Sequence, residues 1–192
     1  MENGLEYTVV RSKRRTLALE VTEKGLTVRA PRRVSLSEIE RFIEKHKKWI
    51  DKQREKTEKL NERAKDALPL TDGEIKALVK KAKNVFPERA AYFAPKIGVT
   101  YGKITVRKQR TKWGSCSAKG DLSFNCLLVL APPEVLDCVV VHELCHRKAM
   151  NHSKDFYAEV EKVFPEYRTW NKWLKENGAL LIKRLEKTHN AM

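Results

Sequence analysis

The segment His142-Glu143-Leu144-Cys145-His146 constrains the fold of this chain more than any other stretch. On a helix, residues four positions apart lie one above the other, so both imidazoles can reach one ion while Glu143 points about 100° away. The preceding Pro132-Pro133-Glu134 favours a helix start, because proline suits the first turn and a carboxylate suits the positive end of the dipole. We therefore predict a helix from this point. One narrow face of this helix, at 100° per residue, contains Val135, Val139, His142, His146 and Ala149.

Two histidines do not hold a catalytic zinc ion alone, so a third ligand is expected. His152 lies six residues after His146 and completes H-E-x-x-H-x5-H, the histidine spacing of the metzincin pattern, although no Met-turn is apparent. Ala149 replaces the glycine of that pattern. Asn151 is therefore predicted to make the turn, since asparagine tolerates the left-handed conformation. Alternative third ligands, as in sites with two histidines and a downstream glutamate, are Glu159 and Glu161.

Three neutral imidazoles would leave a zinc ion, or another divalent transition metal, able to lower the pKa of bound water to about 7. Glu143 is then predicted to act as the general base that takes a proton from the metal-bound water. The group that stabilises the oxyanion is left open. Candidates for this role and for substrate binding are Arg110, Lys112, Ser115 and Tyr157.

The first 68 residues are predicted to form an N-terminal β-meander followed by a helical arm. Apolar and polar residues alternate between positions 5 and 30, with a turn at Lys24-Gly25, which is typical of short antiparallel strands. Ser35 or Ser37 can cap a helix that begins near residue 36. The almost wholly charged stretch from Ile50 to Lys65 predicts a solvated helix or a linker, and the Pro69 region marks the boundary.

Residues 69–192 are predicted to form the hydrolase core. Thr71 caps a helix that Pro87 interrupts and that ends near Pro95. A strand at Ile104–Arg107, a turn at Trp113–Cys116 and a strand at Leu122–Asn125 suggest a hairpin. The expected architecture is α+β, with the active-site helix packed on a small antiparallel sheet. A further helix, capped by Ser153, carries an aromatic face that is expected to pack behind His152.

The charge of the chain is +15, and its distribution is uneven. No acidic residue occurs between Glu88 and Asp121, and this basic region 89–120 predicts attraction to polyanions such as nucleic acid or nucleotides. The four separated cysteines are expected to be reduced and mostly buried. No membrane span and no leader are apparent, so a cytoplasmic location is expected.

Several motifs together resemble the YgjP-like metal-dependent hydrolases, a family of the zincin metallopeptidase clan related to the SprT-like proteins. They are Lys112-Trp-Gly-Ser-Cys-Ser117, Asn125, Val140–His146, Asn151-His-Ser153 with Phe156, and, near the N-terminus, Arg11–Arg15 and Trp49-Ile50. The resemblance implies a zincin-like core and a metal held by His142, His146 and His152. Some SprT-like relatives are proteases that act on DNA-bound proteins, but the zinc-ribbon cysteines that some of them carry are absent here.

Peptide-bond hydrolysis is the leading hypothesis, because a helix-borne site beside a strand suits an extended peptide added to a sheet edge. Hydrolysis of a nucleotide phosphoanhydride is an alternative, for which the basic region offers charge stabilisation, although no glycine-rich phosphate loop is present. A non-catalytic nucleic-acid-binding module with a structural metal is a third. Glu143 and the lack of a fourth protein ligand argue against it.

Overall fold

The computed structural model describes residues 6–65 and 67–185, and the chain divides into two compact units between residues 66 and 67. Both units combine helices with a small sheet, which confirms the predicted α+β class. The expectation that no leader is present concerns residues 1–5, which lie outside the described residues.

The first unit contains a three-stranded sheet of order β1-β3-β2. Its elements are β1 (Tyr7–Ser12), β2 (Ala18–Thr22), β3 (Gly25–Pro31), α1 (Leu36–Lys45) and α2 (Lys47–Ala64). The predicted antiparallel meander is wrong, because β1 pairs with β3 in parallel. The central place goes to β3 since its side chains Leu26, Val28 and Ala30 are all buried, whereas β1 is mostly exposed. The predicted turn at Lys24-Gly25 is confirmed, with a positive φ at Gly25.

The first helix of this unit begins where its capping residue predicts, whereas α2 begins after His46 without a side-chain cap. Ser35 caps α1: its hydroxyl accepts a hydrogen bond from the Glu38 backbone N–H, and the Glu38 carboxylate accepts one from the Ser35 N–H. The charged stretch beyond Ile50 forms the solvated helix α2. Ile50 itself is buried and anchors the start of that helix in the apolar cluster of the unit.

The second unit has a long first helix. Its elements are α3 (Asp72–Ile97), β4 (Ile104–Arg107), β5 (Gly114–Cys116), β6 (Leu122–Asn125), a 3₁₀ turn (Cys126–Leu130), α4 (Pro133–Cys145), α5 (Lys154–Val163) and α6 (Tyr167–Lys183). The predicted interruption at Pro87 is wrong, because α3 runs through it. Phe86 is fully buried and stacks on Phe124 at 4.5 Å. Such packing outweighs the cost of about 3 kcal/mol for a proline inside a helix.

The sheet of the second unit is mixed, with order β4-β6-β5. The predicted hairpin, and with it the antiparallel sheet, is wrong: β6 runs parallel to β4 and antiparallel to β5. The residues expected to form a turn supply β5 instead. Strand β6 takes the centre because Leu122, Phe124 and Asn125 are buried. Strand β5 is therefore left at an edge of the sheet.

Helix α4 lies in the centre of the unit, packed against α3, α5, α6 and β5. Its apolar run Val139-Val140-Val141 is buried, which places the residues that follow against the core. The cysteines are free thiols, as predicted, and three of the four are buried. In the described part of the chain, every helix is too short or too polar to cross a membrane.

Candidate active site and metal centre

The end of α4 carries the first two histidines of the motif. The helix ends at Cys145 with His146 as its cap, whereas the predicted arc continued to Ala149. Two hydrogen bonds from the Arg147 guanidinium, to the carbonyl oxygens of Thr100 and Ala118, hold this end of the helix against loops of the unit. The position of His146 is therefore set by tertiary contacts as well as by the helix.

The structure brings the three predicted histidines together. One ring nitrogen from each of His142, His146 and His152 lies within 4.8 Å of the others. The Nε2 atoms of His142 and His152 are 3.0 Å apart. Two nitrogen ligands of a tetrahedral zinc ion with bonds of 2.0–2.1 Å lie about 3.4 Å apart. The donor set fits a divalent ion, and the His142–His152 pair is close to the required spacing, so the three side chains could hold such an ion.

The turn that returns His152 to the site does not use a left-handed residue. The predicted left-handed pivot at Asn151 is wrong, since no non-glycine residue among those described has a positive φ. The chain is held instead by the His146 Nδ1–H, which donates to the Ala149 carbonyl oxygen at 3.1 Å. Ser153 then caps α5, as predicted, by accepting a hydrogen bond from the Phe156 N–H.

The hydrogen bond to Ala149 also determines which nitrogen of His146 faces the site. A carbonyl oxygen can only accept, so Nδ1 carries the proton and the Nε2 lone pair is free for a metal. The buried ring of Phe156 supports all three imidazoles from below, with centroid distances of 5.0, 4.7 and 5.1 Å to His142, His146 and His152. This agrees with the expected aromatic packing behind His152.

Tyr167, at the start of α6, contacts His142 through both its hydroxyl group and its ring. Its hydroxyl lies 2.9 Å from Nδ1 of His142, and its ring stacks on the imidazole at 5.9 Å. Burial, with added repulsion from His146 and His152, lowers the pKa of His142 to about 4. Burial also lowers the pKa of His146. Both imidazoles are thus neutral near pH 7, which is the form that binds metals.

Glu143 lies beside the histidines and is only 6% exposed. Burial raises the pKa of its carboxyl group to about 7, and the nearby Lys112 opposes this shift. The side chain passes close to the backbone of β5. A Cβ atom at Gly114 would lie 2.6 Å from Oε1 and 2.7 Å from Cγ of Glu143. Only glycine at this position leaves room for the Glu143 carboxylate where the structure places it.

Replacing Gly114 with alanine is expected to lower hydrolysis about 100-fold, since a displacement near 1 Å of a catalytic group has this order of effect. Metal stoichiometry should stay unchanged, because the three atoms nearest to the added methyl group all belong to Glu143 and none to a histidine. Gly73→Ala is the matched control, as the nearest atom to a Cβ there is 3.9 Å away. The two variants are compared by steady-state hydrolysis and metal analysis. Equal activity of both would show that Gly114 does not position Glu143.

The other predicted site residues are placed at different distances from this centre. Lys112 and Ser115 line an open cleft of about 290 Å³, which also contains the three histidines and Glu143. Arg110 is exposed and is not among the residues that line the cleft. Tyr157 lies at the side of the site, with its ring 6.2 Å from that of His152.

The alternative third ligands are engaged elsewhere. Glu159 forms an ion pair with Lys148, and Glu161 forms one with Arg168 at 2.7 Å. Neither carboxylate belongs to the group of potential metal ligands found among the described residues. The structure thus favours His152 as the third ligand over either glutamate.

Three supporting residues were missed as parts of the site. Tyr167 and Gly114 are described above. Asn125 is the third: its buried amide donates to the carbonyl oxygens of Gln109 and Lys112 and holds the loop that carries Lys112. Asn125 and Gly114 had a signal in the sequence, since both belong to the motifs that resemble the family. Tyr167 belongs to none of them and acts on His142 through a contact between distant segments.

Replacing Tyr167 with phenylalanine is expected to weaken metal binding about 10-fold to 100-fold, the usual effect of removing a hydrogen-bond partner of a histidine ligand. The phenyl ring keeps the stacking on His142, so thermal stability should change little. Tyr157→Phe is the control, since it removes a hydroxyl beside the site without touching a ligand nitrogen. Competition with a chromogenic chelator measures both affinities. An unchanged affinity in Tyr167→Phe would contradict the assigned role.

Two solved structures of metallopeptidase zymogens are similar to this chain. Among solved structures, the metallopeptidase zymogen abylysin of Pyrococcus abyssi has 24% identity and a TM-score of 0.44, covering 48% of this chain and 94% of abylysin. Jannalysin of Methanocaldococcus jannaschii, also a metallopeptidase zymogen, has 20% identity and a TM-score of 0.43, covering 48% of this chain and 95% of jannalysin. No protein with a curated description gave a significant match.

The match to a protein family covers more of the chain. The family described as YgjP-like, metallopeptidase domain, matches residues 15–76 and 70–177, which include α4, the three histidines and Glu143. The predicted resemblance is thereby confirmed, and with it the expectation of a metal-dependent hydrolase. The chain belongs to the YgjP-like metallopeptidase domain family.

Proposed function

We propose that this chain is a zinc-dependent peptidase that uses His142, His146 and His152 to hold the metal and Glu143 as general base. The observation that carries the proposal is the convergence of three imidazoles beside a carboxylate that is buried but open to the same cleft. Histidine nitrogens in a three-ligand set favour zinc in a catalytic site. Other divalent transition metals share these ligand preferences.

When bound, a divalent ion supplies Lewis-acid chemistry: it polarises a carbonyl group and makes water more acidic. Glu143 accepts a proton from the attacking water and can pass it to the amine that leaves. A carboxyl group with a pKa of about 7 suits both steps, since it can accept and release a proton near neutral pH. Lys112 and Ser115 line the same cleft and are the proposed substrate-binding residues, with Arg110 and Tyr157 as more distant candidates.

The edge strand β5 supports a peptide as the substrate. Gly114, Ser115 and Cys116 all line the cleft. Within the described part of the chain, β6 is the only strand that pairs with β5. An extended peptide can therefore add to the sheet through backbone hydrogen bonds, which would lay its carbonyl groups along the cleft. Cys116 does not supply a rival nucleophile, because burial and the nearby Glu143 raise the pKa of its thiol.

A panel of substrates tests the proposal. The zinc-loaded chain is incubated with an unfolded protein, with nucleoside triphosphates, and with a protein bound to DNA. Cleavage of peptide bonds in the unfolded protein, followed by mass spectrometry and lost after chelation, is the expected result. Turnover of nucleotides alone would overturn the proposal and favour the phosphoanhydride alternative, to which the basic region 89–120 would then contribute. Faster cleavage of the DNA-bound protein would support a role for that region in bringing substrate to the site.

A further inference from the structure

A dense group of cations lies at one end of the sheet in the first unit. Strands β1 and β3 run parallel in neighbouring positions, with Ser12 opposite Pro31, so the segments that follow them leave the sheet at the same end. We call the cations of these two segments the basic end. They are Lys13, Arg14 and Arg15 after β1, and Arg32 and Arg33 after β3.

The two segments are held together by Arg11. Its Nη1 atom donates hydrogen bonds to the carbonyl oxygens of Pro31, Arg32 and Val34, at 3.2, 3.1 and 2.7 Å. The guanidinium group thus joins the end of β1 to the loop after β3. Like charges that the fold keeps adjacent repel each other, so a fixed cluster of this kind is more stable with an anion bound.

The segments around the basic end contain no acidic residue. The sequence contains no Asp or Glu at positions 7–19 or 24–37. Among the described residues, no ion pair involves a member of the basic end, whereas Arg29 within β3 pairs with Glu20 at 2.8 Å. Four of the five side chains are exposed, so an anion in solution can reach them.

Arg14 gives a second, independent observation that points to an anionic ligand. It is the one member of the basic end that is half-buried, and its Nε atom is enclosed without a hydrogen-bond acceptor among residues 6–65 and 67–185. An enclosed donor without an acceptor costs free energy, and such groups are rare in folded proteins. An anionic oxygen brought within hydrogen-bond distance of this Nε atom would satisfy it.

We infer that the basic end binds the phosphate groups of a nucleic-acid backbone. Arginine makes up four of its five residues, although lysine outnumbers arginine in the whole chain. The planar guanidinium group matches phosphate oxygens with two parallel N–H groups, which favours phosphate over a general acidic surface. A nucleic-acid strand repeats its phosphates along the backbone, so cations on two neighbouring segments can contact successive groups. This surface is separate in sequence from the basic region 89–120.

The test compares two variants of the full chain with equal changes in charge. The first neutralises the exposed members of the basic end, as K13Q/R15Q/R32Q/R33Q. The control, K45Q/K48Q/K52Q/K56Q, neutralises four exposed lysines of α1 and α2 in the same unit. Binding of a fluorescent 20-nucleotide single strand and a 20-base-pair duplex is measured by anisotropy at several salt concentrations. Thermal unfolding checks that both variants are folded.

We expect the first variant to bind the duplex about 10-fold to 100-fold more weakly at low salt, with a salt slope shallower by about three to four. The control should change affinity less than threefold. R14Q alone should reduce the slope by about one. The inference would be overturned if the two variants with four substitutions lost the same affinity for the duplex. It would also be overturned if the unchanged chain bound no nucleic acid. Equally tight binding, through the same residues, to vesicles with anionic phospholipid or to polyglutamate would overturn it as well.

Discussion

Replacing Glu143 with glutamine is expected to lower peptide hydrolysis by about 10²-fold to 10⁴-fold, the usual contribution of a general base. Glutamine has nearly the same shape but cannot accept the proton of the attacking water. Since the carboxylate lies beside the histidines without belonging to the potential ligand set, metal stoichiometry and affinity should be unchanged. Steady-state kinetics and metal analysis on the same preparations measure both quantities.

The stability of this variant gives an additional check. Burial raises the pKa of the Glu143 carboxyl group, so at pH values above its ordinary value of 4.5 the ionised form is disfavoured more in the folded than in the unfolded chain. Glutamine removes that penalty. The metal-free variant should therefore unfold at the same temperature as the unchanged protein, or higher, at pH 8.

Glu159→Gln is the matched control for the same experiment, because it alters a glutamate on the neighbouring helix that pairs with Lys148. It should keep both hydrolysis and metal. If Glu143→Gln retained full activity, the general-base assignment would be wrong. If instead Glu159→Gln lost the metal, this glutamate would be the third ligand in place of His152.

Replacing His152 with alanine is expected to weaken metal binding more than 100-fold, since losing an outer hydrogen-bond partner alone costs about 10-fold to 100-fold. Hydrolysis should fall in parallel. His152 is exposed, so truncating it leaves no buried cavity and the fold should persist. Isothermal titration with zinc, together with metal content after dialysis, gives the affinity and the stoichiometry.

His46→Ala is the control for the loss of a histidine. His46 lies in the first unit, where its Nδ1 atom is 2.7 Å from the Phe42 carbonyl oxygen, and it belongs to no ligand set among the described residues. Its removal should leave zinc stoichiometry unchanged. Full zinc affinity in His152→Ala would mean that the three imidazoles do not act together. The two experiments test separate assignments. His152→Ala tests whether His152 is a metal ligand, whereas Glu143→Gln tests only whether Glu143 is the general base.

Local patterns in the sequence were sufficient to predict the helix that carries much of the candidate site. The helix around His142 and His146 follows from its proline start and apolar run, and the i, i+4 spacing fixes their common face. The caps at Thr71 and Ser153 were also predicted, and the cap of α1 was predicted to be Ser35 or Ser37, because a capping hydrogen bond joins residues only two or three positions apart. Such features depend on neighbours in the chain.

The strand order could not be predicted in the same way. Alternation of apolar residues indicates a strand but does not identify its partner strand. In both units the pattern therefore predicts only the simplest arrangement, an antiparallel meander or hairpin. In each sheet the central strand is the one with the most buried side chains, β3 or β6, and the first strand pairs with it in parallel. Burial of a whole sheet decides that arrangement.

By itself, the sequence determined the helix of the motif, the spacing of its histidines and the family of the chain. Only the tertiary structure decided that α3 continues through Pro87 and that Tyr167 reaches His142 from 25 residues away. It also decided that Gly114 leaves room for Glu143. The difference is physical: backbone periodicity and capping are local, whereas packing, burial and close approach depend on segments that meet only when the chain has folded.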